Sequence, residues 1–201
     1  MIVAGLTGSI AMGKSETAKM FAARDIPVFD SDAAVHALYG KGGEAVAAIA
    51  TLAPEAIVEG AVDRSRLAKL VQENPALLAK IEAAVHPLVK ARQQSFLGEA
   101  AAQGAEIAIL DIPLLFETGR EKDVDVVLVV SAGAPLQRER ALKRPGMTPE
   151  KLDFILSRQV PDEEKRARAD HVIDTSVSLE ATARAVDDLI VALKDRARAG
   201  T

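Results

Sequence analysis

Gly8-Ser9-Ile10-Ala11-Met12-Gly13-Lys14-Ser15 is the stretch that decides the fold. It matches G-x-x-x-x-G-K-[ST] without a gap, and each fixed position has a physical task. Gly8 and Gly13 let the chain curl so that consecutive backbone N–H groups point inward at phosphate oxygens. The apolar run Ile2–Leu6 before the loop reads as a buried strand, and Lys14–Ala23 after it reads as a helix. A helix starting at Lys14 adds the positive end of its dipole to the same point. Lys14 is then placed to bridge the β- and γ-phosphates of a nucleotide, and the Ser15 hydroxyl to ligate magnesium. A chance match in a chain of this length has a probability of roughly one in a hundred, before the flanking strand and helix are counted.

Outward from the loop, strand-like and helix-like segments alternate, which argues for a parallel sheet covered on both faces. Ile2–Leu6, Pro27–Asp30, Glu106–Asp111, Val124–Ser131 and His171–Asp174 read as its strands. The spacing of Leu179, Ala183, Val186, Ile190 and Leu193 predicts a helix over Ser178–Arg196, with Ser178 as its N-cap and Gly200 just past its end. The expected architecture is therefore α/β, a P-loop three-layer sandwich built as one domain over residues 1–201. Its core takes in about 1–39, 105–134 and 169–201. Residues 40–104 show no convincing strand and read as a helical insertion with pieces at Asp63–Glu73, Pro75–Val85 and Pro87–Ala102. Pro75 and Pro87 suit first-turn positions there. A second helical region, 135–168, turns at Arg144-Pro145-Gly146 and restarts behind Thr148-Pro149.

The bulk numbers restrict the partners. Of 201 residues, 49% are apolar and 27% charged, the balance of a folded globular protein. Aromatics make up only 3% and Trp is absent, which argues against stacking on single-stranded nucleic acid. A net charge of −4 gives no general attraction to polyanions, so phosphate binding must be local. With no cysteine there are no disulfides, thiolate metal sites or thiol nucleophiles. No apolar run has the length of a membrane span; Ile107–Phe116 is short and is interrupted by Asp111 and Pro113. The expectation is a cytoplasmic protein without nucleic-acid or membrane partners, a monomer, with an oligomer left open.

Phosphoryl transfer to a hydroxyl needs charge neutralisation, positioning and a group that orients the attacking oxygen. Asp111 ends an apolar strand, where a carboxylate reaches a magnesium ion directly or through water; the bland alternative is a turn cap. Asp30 and Asp32 follow the second strand. If the chain stays extended, both face the crevice at the strand ends, and either one can take the proton while the other caps the next helix. The run Gln137–Arg144 is helical by composition, with Arg140 and Arg144 on one face and Glu139 paired with Lys143 on another. It is either a solvated helix or a lid whose arginines close over the phosphates and exclude water. His36 and His171 are assigned to packing or surface.

Taken in order, these elements resemble the dephospho-coenzyme A kinase family. The likeness runs through Gly5–Ser15, Val28-Phe29-Asp30-Ser31-Asp32, His86-Pro87-Leu88, Asp111-Ile112-Pro113-Leu114-Leu115-Phe116-Glu117, Ile155-Leu156-Ser157-Arg158-Gln159 and Ala169–Asp174. The resemblance implies a nucleoside-monophosphate-kinase-like fold and transfer of phosphate from ATP, with Mg²⁺, to the ribose 3′-hydroxyl of dephospho-coenzyme A. It implies Asp32 as the residue acting on that hydroxyl, with His86, Pro113 and Glu117 toward the acceptor. Lys14, Asp32 and Arg140 form the implied catalytic set. Gly8, Ala11, Met12, Gly13, Lys14, Ser15, Glu16, Arg140 and Arg144 form the ATP side, and Ser15 with Asp111 the metal side. Three positions depart from the family pattern. Ala11 stands where Gly is usual and must avoid a positive φ or accept strain. Glu16 stands in place of Thr, so its side chain is expected to turn away from the phosphates. Thr175 stands where an Asn is frequent, which puts in question an adenine contact by that side chain.

Overall fold

A computed structural model of the chain describes residues 1–199, so Gly200, expected just past the last helix, lies outside the described residues. In chain order, β1 (Ile2–Thr7) leads through the glycine loop into α1 (Lys14–Ala22). Next, β2 (Val28–Asp30) is followed at once by α2 (Ser31–Tyr39), then α3 (Val46–Leu52), β3 (Ile57–Val58), β4 (Ala61–Val62), α4 (Arg64–Glu73) and α5 (Ala76–Ala102). The chain continues as β5 (Ile107–Asp111), β6 (Val126–Ser131), α6 (Ala134–Leu142), α7 (Pro149–Leu156), α8 (Asp162–Arg168), β7 (His171–Asp174) and α9 (Leu179–Ala199). Met1–Phe29 with the chain from Ala100 onward forms one compact unit, and Asp30–Glu99 a second. The insertion expected over 40–104 thus starts earlier, taking in α2, and ends sooner.

In the first unit the sheet has the order β2-β5-β1-β6-β7, and the pairs β5/β1, β1/β6 and β6/β7 run parallel. The central strands read as near-continuous apolar runs because both faces are covered. Ala4, Leu6, Ile107, Ile109, Val126, Leu128 and Val130 are buried in one cluster with Phe21 of α1 and Val186, Ile190 and Leu193 of α9. Of the period expected of α9, Val186, Ile190 and Leu193 are buried, whereas Ala183 is half-buried and Leu179, in the first turn, is exposed. Ser178 caps it, its Oγ accepting from the Ala181 N–H at 3.2 Å. Two aspartates outside the strands complete the sheet: Asp125 accepts from the Val3 N–H at 2.8 Å and Asp170 from the Val127 N–H at 2.7 Å. The guanidinium of Arg24, just past α1, forks onto Asp187 of α9, with Nη2 at 2.9 Å from Oδ2. That hydrogen bond holds the Asp187 carboxyl below its usual range.

The second unit differs from the expectation in two respects. Pro87 does not begin a helix; it lies inside α5, which runs unbroken from Ala76. A proline there forfeits a backbone hydrogen bond and clashes with the preceding turn, a cost of about 3 kcal/mol. Burial at steps of four (Leu77, Ile81, Val85 and Val89, each at most 8% exposed) offsets it. The segment also holds a two-stranded hairpin, β3 with β4, whose turn residues Glu59 and Gly60 both have positive φ. Two-residue strands are too short to show alternation in sequence. Asp63 caps α4 by accepting from the Ser65 and Arg66 N–H groups.

Phe21 is fully buried between α1, the sheet and α9, in a chain with few aromatics. Phe21→Ala should cost about 3–5 kcal/mol, read as a lower urea midpoint at unchanged m-value. A loss under about 1 kcal/mol would contradict the packing described.

Candidate active site

Leu6, the penultimate residue of β1, pairs in register with Asp111, the last of β5. The phosphate loop therefore leaves the sheet beside a carboxylate, at the carboxyl ends of the strands where open α/β sheets bind ligands. Gly8 passes so close to β6 that a Cβ on it would overlap the Val130 side chain and lie 2.8 Å from the Val130 carbonyl oxygen. Gly13 caps α1 at φ 95°, where a side chain would be strained and would press on Thr175. Beyond it, Lys14 turns back and pairs its ammonium with Asp111 Oδ1; the two side chains are 17% and 6% exposed. The pair is a neutralised, largely desolvated charge set at the mouth of the loop.

Ala11 accepts strain. Its φ is 62°, which costs a residue with a Cβ about 1 kcal/mol. The methyl group is 7% exposed and packs with Ala141 of α6 and Leu152 of α7, beside Ile10, Met147 and Leu156. Burial of one methyl contributes about 0.8 kcal/mol, so strain and packing nearly cancel. Glu16 turns away as expected, its carboxylate 2.7 Å from Lys19 Nζ along the exposed side of α1. Ser15 is exposed, and the N–H groups of Ala11, Gly13, Lys14, Ser15 and Glu16 have no acceptor among the described residues. Met12 is used structurally: its N–H donates to the Ser9 carbonyl at 3.2 Å, and its Sδ accepts from the Ala132 N–H at 3.2 Å.

Thr175 gains a role that the sequence did not suggest. Its hydroxyl donates to the Met12 carbonyl at 2.6 Å, which ties the loop to the end of β7. Arg140 lies beside it, with Nη2 2.8 Å from the Thr175 carbonyl oxygen. Next in the chain, the Asp174 carboxyl is held below its usual range by hydrogen bonds from Ser176, with a smaller contribution from Arg166. Helix α6 stops at Leu142, so Arg144 lies past its cap and is exposed; the helical spacing that paired it with Arg140 does not extend that far. The Glu139–Lys143 pair is present at 2.5 Å. The turn at Gly146 is present with φ 72°, and Thr148 caps α7.

Glu117 is 12% exposed, its Oε1 accepting from the Val160 N–H at 2.8 Å and lying 2.7 Å from the fully buried Lys165 Nζ. It therefore pins the chain ahead of α8 to the turn after β5. Pro113 presents its carbonyl to the Thr7 hydroxyl at 3.1 Å. In the second unit Asp30 is the N-cap of α2, its side chain accepting from the Ala33 N–H at 2.9 Å. Since α2 starts at Ser31, the extended geometry that would align Asp30 with Asp32 is absent. Asp32 sits in the first helical turn, exposed and without a hydrogen bond or ion pair among the described residues. His86 is exposed in the middle of α5 rather than at a helix start. His36 is exposed and His171 half-buried.

A sheet of this order, with the glycine loop on its central strand and a lysine and an aspartate converging at its mouth, defines a P-loop kinase. Residues 1–181 match the family model described as dephospho-CoA kinase (CoaE). The dephospho-CoA kinase of Rhodopseudomonas palustris is 53% identical over 180 residues, 90% of this chain and 89% of that protein. That of Brucella melitensis is 51% identical over 201 residues, the full length of both. Among solved structures, the crystal structure of TT1252 from Thermus thermophilus superposes with a TM-score of 0.76 at 35% identity, covering 96% of this chain and 97% of that one. The chain belongs to the dephospho-CoA kinase family.

Thr175→Val keeps the shape but strands the Met12 carbonyl in a buried site. It should cost about 1–3 kcal/mol in urea denaturation, and an unchanged midpoint would remove Thr175 as a support of the loop. Ala11→Gly relieves strain but loses the buried methyl and raises the entropy of the unfolded chain. Its midpoint should shift by less than about 1 kcal/mol in either direction.

Proposed function

We propose that the protein transfers the γ-phosphoryl group of ATP to the ribose 3′-hydroxyl of dephospho-coenzyme A, giving coenzyme A and ADP in the last step of coenzyme A biosynthesis. The observation that carries the phosphoryl-transfer side is the Lys14–Asp111 pair at the mouth of a loop whose amides are open. The acceptor follows from membership of the family.

In this reading the open N–H groups of Ala11, Gly13, Lys14, Ser15 and Glu16, with the dipole of α1, hold the phosphate oxygens. The ATP side further includes Gly8 and Met12, which shape the loop, and Arg140 with Arg144, which close over the transferring group. Lys14 exchanges its contact with Asp111 for the β- and γ-phosphates. Among the described residues no three acidic or histidine side chains cluster as a metal cage. The hard oxygen donors of Ser15 and Asp111 fit magnesium, which takes few protein ligands and completes its shell with phosphates and water. Bound there, magnesium supplies charge neutralisation on the phosphate oxygens.

Asp32 acts on the acceptor. Asp30 is spent as a helix cap, whereas the Asp32 carboxylate is exposed and unengaged, free to accept the hydroxyl proton as the 3′-oxygen bonds to phosphorus and the bond to the ADP oxygen breaks. His86, Pro113 and Glu117 complete the acceptor side, Glu117 through the Val160 backbone that it holds. The reaction is assigned to the cytoplasm, in keeping with a chain that has no cysteine; among the described residues no helix is long and apolar enough to cross a membrane. No nucleic acid takes part, and the working unit is a monomer.

A coupled ADP-release assay with a panel of acceptors tests the proposal. Turnover with dephospho-coenzyme A and little with AMP, CMP or nucleosides is expected; the reverse pattern would overturn it. Asp32→Asn should lower kcat about 10²–10⁴-fold while the Kd for ATP stays within about twofold, since the loop is unaltered. A fully active Asp32→Asn enzyme would be incompatible with the assigned role.

A further inference from the structure

The two peptide groups that flank Ile10, in the middle of the phosphate loop, are each held by a side chain far away in sequence. The Ile10 N–H donates to Gln159 Oε1 at 3.0 Å, and Gln137 Nε2 donates to the Ile10 carbonyl at 2.9 Å. The backbone dictates the orientation of both amides: an N–H must meet an oxygen, and a carbonyl must meet an NH₂. Gln137 is only 5% exposed, on the face of α6 that also carries Arg140 and the fully buried Ala141. Gln159 closes the run Ser157-Arg158-Gln159, one residue before the Val160 N–H that Glu117 holds. Both glutamines therefore come from the helical region 135–168, and both are themselves fixed.

The loop has few other means of support. Its amides from Ala11 to Glu16, apart from that of Met12, have no acceptor among the described residues, and Ala11 occupies a strained conformation. With Ile10 clamped ahead of Ala11 and the Met12 carbonyl tied to Thr175 behind it, the strained residue is bracketed. The same contacts remove the Ile10 N–H from the donors open to phosphate, so the anion-binding run starts at Ala11.

We infer that Gln137 and Gln159 are positioning residues for nucleotide binding: their amides clamp the two peptide groups that flank Ile10 and so hold the open amides that follow in the geometry that receives a triphosphate. The affinity of the loop for ATP then depends on α6 and the 157–160 segment being docked. The inference rests on ATP as phosphoryl donor but is independent of the acceptor, so direct binding of Mg-ATP, measured by calorimetry on the full-length protein, is the readout.

Gln159→Met removes the acceptor at similar volume and should raise the Kd for Mg-ATP about tenfold, while KM for dephospho-coenzyme A stays within about twofold. An unchanged Kd, or an equal rise in both constants, overturns the inference. A charge-matched pair separates hydrogen bonding from electrostatics. Gln159→Glu keeps an oxygen toward the Ile10 N–H, whereas Gln137→Glu sets an oxygen against the Ile10 carbonyl. Both add one negative charge beside the loop. The Kd of Gln137→Glu should exceed that of Gln159→Glu at least about fivefold, and equal values overturn the inference. The unmodified protein supplies a check that no folding defect can obscure: the Ile10 amide should exchange with solvent deuterium at least about tenfold more slowly than the Gly13 amide without nucleotide. Equal exchange at the two amides also overturns it. A failure of the acceptor screen removes only the KM comparison and leaves the Mg-ATP binding and exchange measurements standing, so the two proposals fail separately.

Discussion

The phosphate loop must keep most of its backbone N–H groups free for a ligand, so its own hydrogen bonds, such as that from Met12 to Ser9, order it only in part. The first unit is arranged around this constraint. Strand β1 fixes where the loop begins and α1 fixes where it ends. Between them the backbone is held through its carbonyls and through Ile10, by Thr175, Gln137 and Gln159, each from a distant part of the chain. Gly8 is required because β6 leaves no room for a Cβ, and Gly13 because the helix is entered through a positive φ. Ala11 accepts strain where packing offsets it.

Charge is treated in the same way. Lys14 and Asp111 are both largely buried and neutralise each other, so neither leaves an unpaired charge in the desolvated site. Glu117 and Lys165 form a second such pair, and Glu117 also takes the Val160 N–H. Removing one partner of such a pair is costly because the other charge remains buried. Glu117 thus attaches the 157–165 segment at Val160 and at Lys165, next to Gln159.

Much of the fold was legible because its signals are local. Five apolar runs gave five strands within about two residues, and Ser178 and Thr148 cap the helices that they were expected to cap. The readings that went astray involve burial or very short elements. Pro87 reads as a helix start because proline is costly elsewhere, yet a buried stripe carries α5 through it. The hairpin of β3 and β4 has too few residues to alternate. The condition of an extended chain at Asp30 and Asp32 is not met, since the helix starts at Ser31; of the two tasks left open there, Asp30 takes the cap.

By itself the sequence determined the chemistry of the loop, since the identities and spacing of Gly8, Gly13, Lys14 and Ser15 are consequences of local backbone geometry and ligand charge. It also carried the marks of the family, because those residues recur as short contiguous runs. Only the tertiary structure decided what supports the loop. Gln137 and Gln159 lie 127 and 149 residues from Ile10, and Thr175 lies 163 from Met12. At such separations a hydrogen bond leaves no periodic trace in the chain, and a buried glutamine looks in sequence like an exposed one.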